Sequence, residues 1–124
     1  MNKVQEVVPA KAFAMIQKGA LLVDVREAYE VARKSFDVPE IMLIPFRDFE
    51  KRFQEIPVKR QVIIACNSGS RSAVATRILM THGYRKVVNM QYGIMRWAKE
   101  GLPVKGKPKQ TFGAWLLQMF RGKS

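Results

Sequence analysis

Apolar and polar residues follow one another along the chain in blocks that predict alternating strands and helices. The apolar run 20–25 is typical of a strand covered on both faces, and the predicted strands are residues 4–8, 20–25, 41–44, 61–65 and 86–90. Helical composition or spacing predicts helices at residues 10–18, 26–34, 46–56, 70–81 and 93–99. Strands that alternate with helices through short loops predict an α/β fold, with a mainly parallel central sheet and helices on both faces.

The same pattern predicts which parts of these elements are buried. The segment 41–44 is expected to be a buried strand, and the segment 61–65 to be the central strand. Two helices carry apolar residues that we expect to face the sheet: Phe46, Phe49, Phe53 and Ile56 in the first, and Ala73, Val74, Ile78 and Leu79 in the second.

The only cysteine, Cys66, directly follows the predicted central strand and precedes the helix that begins at Ser70. In parallel α/β sheets the functional crevice lies at the carboxyl ends of the strands, where Cys66 is expected. Backbone N–H groups and the positive end of a helix dipole favour a thiolate in that position. We therefore predict that Cys66 is a nucleophile, ionised and within reach of solvent. The other interpretation is an inert core cysteine, because a free cysteine is often buried.

The loop after Cys66 has the composition of an anion-binding turn. Small residues let the chain wrap closely around a sulfur atom or an anion, and Gly69 allows backbone angles that other residues resist. Arg71 adds a fixed positive charge. The predicted substrate-binding residues, whose N–H groups are expected to point inward, are Asn67, Ser68, Gly69, Ser70, Arg71 and Ser72.

Several motifs, in order, make the chain resemble the rhodanese homology domain over about residues 5–104. The loop Cys66–Ser72 matches the pattern Cys-x-x-Gly-x-Arg-Ser, which in single-domain members lies between a strand and a helix. Upstream, residues 21–27 match the family's apolar strand that ends in Asp-Val-Arg-Glu. Downstream, Gly83-Tyr84, the strand 86–90 and the segment Gly93–Trp97 match its Gly-Tyr, its next strand and its Gly-x-x-x-Trp helix.

The resemblance implies a sulfurtransferase without a cofactor. The Cys66 thiolate would attack the outer sulfur of thiosulfate or of a persulfide, and the Cys66 persulfide would pass its sulfur to an external thiol or to cyanide. Arg71 would help to hold the small anionic donor, whereas Asp24 and Arg26 would brace the sheet end near the loop without a catalytic role. One cysteine and one histidine give no convincing metal site.

The sequence departs from the family pattern in two places. Members usually have Gly-His-Ile-Pro-Gly-Ala before the next strand, and the segment Lys34–Ile41 keeps only the proline. The Gly-Gly pair before the final helix is Tyr92-Gly93 here. We expect Tyr92 either to narrow the approach to the loop or to pack against its neighbours.

Two other functions remain open at this stage. A cysteine phosphatase or arsenate reductase would use a similar loop, but such phosphatases place arginine six positions after the cysteine, where this chain has Ser72. Arg71 is five positions on, and the shorter loop suits a sulfur atom better than a phosphoryl group. The main alternative is a non-enzymatic rhodanese-like binding or regulatory module, recruited to a partner or membrane by a basic tail.

Charge and apolar content limit the partners and the location. The formal net charge is +12 over 124 residues, which indicates a surface that attracts anions, from small oxyanions to acidic proteins. No aromatic-basic readout motif supports nucleic-acid binding, which is therefore not expected. Without a signal peptide or an apolar run long enough to span a bilayer, the sequence predicts a soluble, cytoplasmic protein, with a peripheral position at a membrane as the alternative.

A change of composition predicts two parts: a rhodanese-like domain at residues 1–104, and a basic linker with a short amphipathic helix at residues 105–124. The apolar residues of that helix share one face, namely Phe112, Trp115, Leu116, Met119 and Phe120. For residues 111–120 three interpretations remain: packing on the domain, docking to a partner protein, or contact with a membrane surface.

Overall fold

The computed structural model describes residues 3–106, which form an α/β unit around a five-stranded sheet. The strands of this sheet are β1 (Glu6–Val7), β2 (Leu21–Asp24), β4 (Ile41–Leu43), β5 (Val62–Ala65) and β6 (Val87–Met90). The helices are α1 (Pro9–Gln17), α2 (Ala28–Arg33), α3 (Phe49–Arg52), α4 (Ser70–Thr81) and α5 (Gly93–Lys99). Two short strands, β3 (Ser35–Phe36) and β7 (Val104–Lys105), form a separate antiparallel pair.

The main sheet is parallel throughout, in the order β1-β6-β5-β2-β4, which confirms the predicted fold class. Strand β5 is central, as expected: Ala65 lies opposite Asp24 of β2, and Ile64 lies opposite Asn89 of β6. Cys66 therefore leaves the sheet at its centre, between the carboxyl ends of two neighbouring strands. That is the place where open parallel sheets form their ligand crevice.

Helices cover both faces of the sheet, so the central strands are buried on both sides. In β5, Val62 and Ile64 pack towards α3 and α4, whereas Ile63 and Ala65 pack towards α1 and α5. All residues of β2, β5 and β6 are buried for this reason. Each aliphatic side chain removed from water in this way contributes roughly 1.5–3 kcal/mol to folding.

The prediction of a buried strand at residues 41–44 is wrong for most of its length. Strand β4 lies at the edge of the sheet, and Ile41 and Leu43 are 37% and 36% exposed. Only Ile44, which follows the strand, is fully buried. An apolar run does not distinguish a central strand from an edge strand, because the position in the sheet depends on long-range pairing.

The two helices with predicted inward faces also need correction. Residues 46–56 form two 3₁₀ turns, Phe46–Asp48 and Phe53–Glu55, on either side of the short helix α3, although Phe49, Phe53 and Ile56 are buried as expected. In α4 the buried residues are Ser72, Ala75, Thr76 and Leu79.

Val74 is 49% exposed and does not face the sheet as predicted. The buried face of α4 carries two hydroxyl residues: Thr76 donates to the Ser72 carbonyl at 2.8 Å, and Ser72 donates to the Cys66 sulfur. Leu79 is buried as predicted and Ile78 packs against the core, so the apolar spacing was wrong for Val74, and the satisfied hydroxyls of Ser72 and Thr76 lie on the buried face instead.

The folded unit extends slightly beyond the predicted domain end. Strand β7 pairs with β3 and places Lys105, where the predicted linker begins, opposite Ser35. The predicted amphipathic helix and its apolar face, within residues 107–124, lie outside the described residues. Over residues 3–106, no helix has the length and apolar character needed to cross a membrane.

The buried tyrosine Tyr84 offers a test of this packing. Its hydroxyl donates to the carbonyls of Phe53 at 3.1 Å and Ile56 at 2.7 Å, so it fastens the end of the second 3₁₀ turn to the core. We expect Tyr84→Phe to lower the free energy of unfolding by about 1–2 kcal/mol, because buried carbonyls lose their donor. Urea denaturation measures this loss. Tyr29→Phe is the matched control, since Tyr29 is 68% exposed; equal losses in both variants would contradict the assignment.

Candidate active site

The loop after β5 is built around the Cys66 sulfur. The backbone N–H of Gly69 donates to Sγ at 3.0 Å, and the Ser72 hydroxyl donates to it at 3.3 Å. Gly69 has a φ of 105°, the left-handed conformation that glycine adopts without strain, and it is the residue directly before α4. The Gly69 amide thus points towards the sulfur, and the inward orientation of the whole set of loop amides remains a prediction.

Two opposing effects set the pKa of the Cys66 thiol. Burial is the larger single effect and raises the pKa, because it disfavours the charged thiolate. Hydrogen bonds from the Ser72 hydroxyl and from the backbone N–H groups of Ser72, Gly69 and Ser68 together outweigh it. The pKa is lowered from its ordinary value, as a nucleophilic thiolate requires.

The expected exposure of the sulfur is wrong in this structure. Cys66 has no exposed area, and its side chain belongs to the same apolar layer as Val62 and Ile64. Ser68 and Ser70 are the exposed residues of the loop, and Asn67 is half-buried. The loop wraps around the sulfur closely enough to cover it, which the composition of the loop did not reveal.

Helix α5 holds the outer side of the loop. The N–H groups of Ile94 and Met95 donate to the carbonyls of Cys66 at 2.9 Å and Asn67 at 3.2 Å. A Cβ at Gly93 would lie only 2.4 Å from the Cys66 and Asn67 carbonyl oxygens, so only glycine fits here. With these carbonyls turned towards α5, the amides that follow them are free to turn towards the sulfur.

Arg71 is engaged by an acidic partner that the sequence reasoning did not identify. Its two terminal nitrogens each donate to a carboxylate oxygen of Glu30 at 2.9 Å, in a bidentate pair. The Arg71 hydrogen bond is the main reason that the pKa of Glu30 falls to about 2. The guanidinium side chain remains 32% exposed, so part of it is accessible beside the loop.

Asp24 and Arg26 form a buried pair at the end of β2. Arg26 Nη2 lies 2.9 Å from Asp24 Oδ2, and both residues are at most 2% exposed. The same Nη2 donates to the Lys34 carbonyl at 2.9 Å, which ties the end of α2 to the sheet. Their predicted role as structural support agrees with these contacts and remains a prediction.

A second tie to the loop comes from Asn89, which the sequence reasoning also missed. Its Nδ2 donates to the Gly69 carbonyl at 3.2 Å and to Glu6 Oε2 at 2.9 Å. Its buried Oδ1 has no hydrogen-bond partner among residues 3–106. The signal was available: asparagine interrupts the otherwise apolar strand Val87–Met90, and a buried polar side chain needs a partner.

The donor set at this site suits an anion or a sulfur atom. Ser72 stands six positions after Cys66, and it supplies a neutral hydroxyl where a phosphatase would supply a guanidinium. Within residues 3–106, no group of three or more histidine, cysteine or acidic side chains is arranged to hold a metal ion.

Known proteins are similar to this chain in sequence and in fold. The family model for the rhodanese-like domain matches residues 8–100. A sulfurtransferase of Allochromatium vinosum is 42% identical over 84 residues, covering 68% of this chain and 77% of that protein. The thiosulfate sulfurtransferase GlpE of Haemophilus influenzae is 28% identical over 107 residues, covering 81% of this chain and 93% of that protein.

Among solved structures, a rhodanese-related protein from Thermoplasma volcanium superposes with a TM-score of 0.76 at 26% identity. The match covers 83% of this chain and 99% of that one. The matched family model spans helices α1 to α5 and four of the five strands of the main sheet, and it includes the loop that surrounds the Cys66 sulfur. This chain therefore belongs to the rhodanese-like domain family.

Proposed function

We propose that this chain transfers sulfane sulfur from thiosulfate, or from a persulfide, to an external thiol through a persulfide on Cys66. The sulfurtransferase class follows from the family and from the named activities of its relatives. The observation that carries the chemical mechanism is the set of donors on one sulfur atom, the Gly69 amide and the Ser72 hydroxyl. These donors stabilise negative charge where a thiolate nucleophile needs it.

In the first step the Cys66 thiolate attacks the outer sulfur of thiosulfate. A new S–S bond forms on Cys66, the S–S bond of the donor breaks, and sulfite leaves with the bonding electron pair. The product is a Cys66 persulfide whose terminal sulfur keeps the negative charge. The same amides and the Ser72 hydroxyl are suited to stabilise that charge.

In the second step an acceptor thiolate attacks the terminal sulfur. The Cys66 sulfur leaves as a thiolate, and the acceptor becomes a persulfide; with cyanide the product is thiocyanate. The acceptor has to be external, because Cys66 is the single cysteine of the chain. Free thiols of this kind belong to a reducing compartment, so a cytoplasmic location is part of the proposal.

Access to the sulfur is a requirement of this mechanism. Because Cys66 has no exposed area, the loop has to move outward before a donor can reach it. The exposed residues Ser68 and Ser70 lie on the solvent side of the loop and would move first. The carbonyls held by α5 would keep the base of the loop in place during this movement.

The proposed roles of the remaining loop residues follow from their positions. Asn67, Ser68, Gly69, Ser70 and Ser72 contribute amides or hydroxyls around the sulfur, and Arg71 contributes charge. With both terminal nitrogens on Glu30, Arg71 would bind the donor through its exposed part. Phosphatase chemistry is disfavoured, because Ser72, six positions after Cys66, carries no charge.

Replacement of the nucleophile tests the proposal directly. We expect Cys66→Ser to reduce thiosulfate:cyanide sulfurtransferase activity by roughly a thousandfold or more, because the hydroxyl is not ionised at neutral pH. Mass spectrometry after incubation with thiosulfate should find one added sulfur on the wild type and none on Cys66→Ser. Thermal unfolding controls for folding. A variant as active as an active wild type would overturn the proposal. A wild type without activity would favour the alternative of a purely binding module.

The hydroxyl of Ser72 provides a test based on pH. Loss of this donor should raise the pKa of Cys66, so the thiolate of Ser72→Ala should form at higher pH than in the wild type. We expect the alkylation profile with iodoacetamide to move to higher pH and the rate at neutral pH to fall by about tenfold. Thr81→Ala, which removes a hydroxyl at the far end of α4, is the control. Unchanged profiles in both variants would exclude this role for Ser72.

Variants of Arg71 and Glu30 distinguish donor binding by Arg71 from a purely structural role of the ion pair. If Arg71 binds the anionic donor, Arg71→Gln should raise the KM for thiosulfate by about tenfold, with a smaller effect on kcat. Glu30→Gln removes a competing carboxylate and should lower that KM. If the pair is only structural, both variants should lose the same stability and leave KM nearly unchanged. Steady-state kinetics at several thiosulfate concentrations distinguish these results.

A further inference from the structure

The surface beside the reactive loop carries large side chains that remain in solvent. Tyr29 is 68% exposed, Met95 is 61% exposed and Tyr92 is 47% exposed. A hollow of about 500 Å³ is lined by Tyr29, Asn67 and Met95, among others, and a second hollow of about 300 Å³ is lined by Ser68, Tyr92 and Met95. Met95 thus separates two depressions, each of which borders one residue of the loop.

Tyr92 has a backbone conformation that is costly for its residue type. Its φ is 67°, and among the described residues it is the only non-glycine residue with a positive φ. The Tyr92 backbone lies close to the loop, since a Cβ on Gly69 would be only 3.1 Å from Tyr92 N. The tyrosine side chain is half in solvent and is not packed in the core. A strained residue with an exposed aromatic ring beside a reactive loop suggests a functional role for the ring.

Positive charge surrounds these exposed side chains. Lys34 lines the larger hollow, whereas Arg96 and Lys99 line the smaller one, and all three are exposed. The Arg96 guanidinium stacks over the Tyr92 ring at 4.9 Å from its centroid. Lys34 and Lys99 make no ion pair within residues 3–106, and Glu30 is neutralised by Arg71.

We propose that this surface docks an acidic polypeptide segment that carries the thiol which exchanges sulfur with Cys66. We call it the rim, and it consists of Tyr29, Lys34, Tyr92, Met95, Arg96 and Lys99. The proposal rests on the sulfur transfer proposed above and specifies the partner of that reaction. Tyrosine, methionine and arginine are the residue types that protein interfaces favour, and the positive charges match an acidic partner.

Charge favours this occupant over the alternatives within the chain itself. Residues 107–124 contain four basic and no acidic residues, and a second copy would bring a further net charge of +12. Both would be repelled by the lysines of the rim. A nucleic acid has the required charge, but it carries no thiol that could accept sulfur from Cys66.

The test uses the full chain, loaded as the Cys66 persulfide and freed of excess donor. Two synthetic peptides serve as acceptors: each has one cysteine, flanked by glutamates in one peptide and by glutamines in the other. We expect the wild type to transfer sulfur to the acidic peptide roughly tenfold faster than to the neutral one at low salt. The preference should decline as the ionic strength rises.

Charge-reversal variants show whether the lysines of the rim cause the preference for the acidic peptide. Lys34→Glu/Lys99→Glu should abolish the preference for the acidic peptide. Lys59→Glu/Lys86→Glu is the matched control, because it makes the same change of charge at two exposed lysines that precede β5 and β6. These lysines lie at the amino ends of the strands, whereas the reactive loop lies at the carboxyl ends. This control should retain at least half of the preference.

Replacement of Tyr92 separates a docking role from a structural one. Asparagine tolerates a positive φ better than tyrosine does, so Tyr92→Asn should keep or raise Tm. It should nevertheless slow transfer to the acidic peptide severalfold. A lower Tm with an unchanged rate constant would mean that the ring serves packing, which would overturn its place in the rim.

Several outcomes would overturn the proposal while leaving the sulfur-transfer function intact. One is rapid transfer to dithiothreitol with no preference between the two peptides. Another is a preference that both double variants lose equally, since that reflects net charge alone. A dimer that only Lys34→Glu/Lys99→Glu disrupts would assign the rim to a second copy. Stronger inhibition by a single-stranded oligonucleotide than by a cysteine-free acidic peptide would assign it to nucleic acid. If no persulfide forms, the proposed function fails instead.

Discussion

The close approach of α5 to the reactive loop is the constraint on which the site depends. The carbonyls of Cys66 and Asn67 accept hydrogen bonds from the first turn of α5. A Cβ at Gly93 would collide with both carbonyls, so the approach requires glycine at this position. The carbonyl and the N–H of one trans peptide point in opposite directions, so the Asn67 carbonyl that faces α5 leaves the Ser68 N–H on the side of the sulfur. The orientation of this amide is therefore set by a contact on the other side of the loop.

This arrangement resolves a conflict between burial and reactivity. A thiol in an apolar layer is ordinarily inert, because desolvation penalises the thiolate. Here the Gly69 amide and the Ser72 hydroxyl replace the lost water, and the pKa of Cys66 falls despite its complete burial. A hydrogen bond to a charged group contributes about 1.5–3 kcal/mol, so a few such donors can outweigh the desolvation of a single sulfur.

Besides the contact with α5, ties from two neighbouring elements hold the loop in this conformation. Asn89 reaches the Gly69 carbonyl from the neighbouring strand, and Glu30 fixes Arg71 from α2. Helix α2 is itself bound to the sheet through the buried pair of Arg26 and Asp24. Buried ion pairs contribute little net stability, but the loss of one partner is costly, which makes them suited to fixing geometry. Within the loop, Ser68 and Ser70 are the residues left exposed.

The sequence by itself determined the α/β fold, the central position of the strand before Cys66 and the composition of the reactive loop, because these depend on local periodicity and on turn chemistry. It did not determine that β4 is an edge strand, that α4 turns Ser72 rather than Val74 inward, or that Glu30 and Asn89 reach the loop. Those features join residues far apart in the chain. Their positions depend on how strands pair and helices pack, which a local pattern cannot specify, so only the tertiary structure decided them.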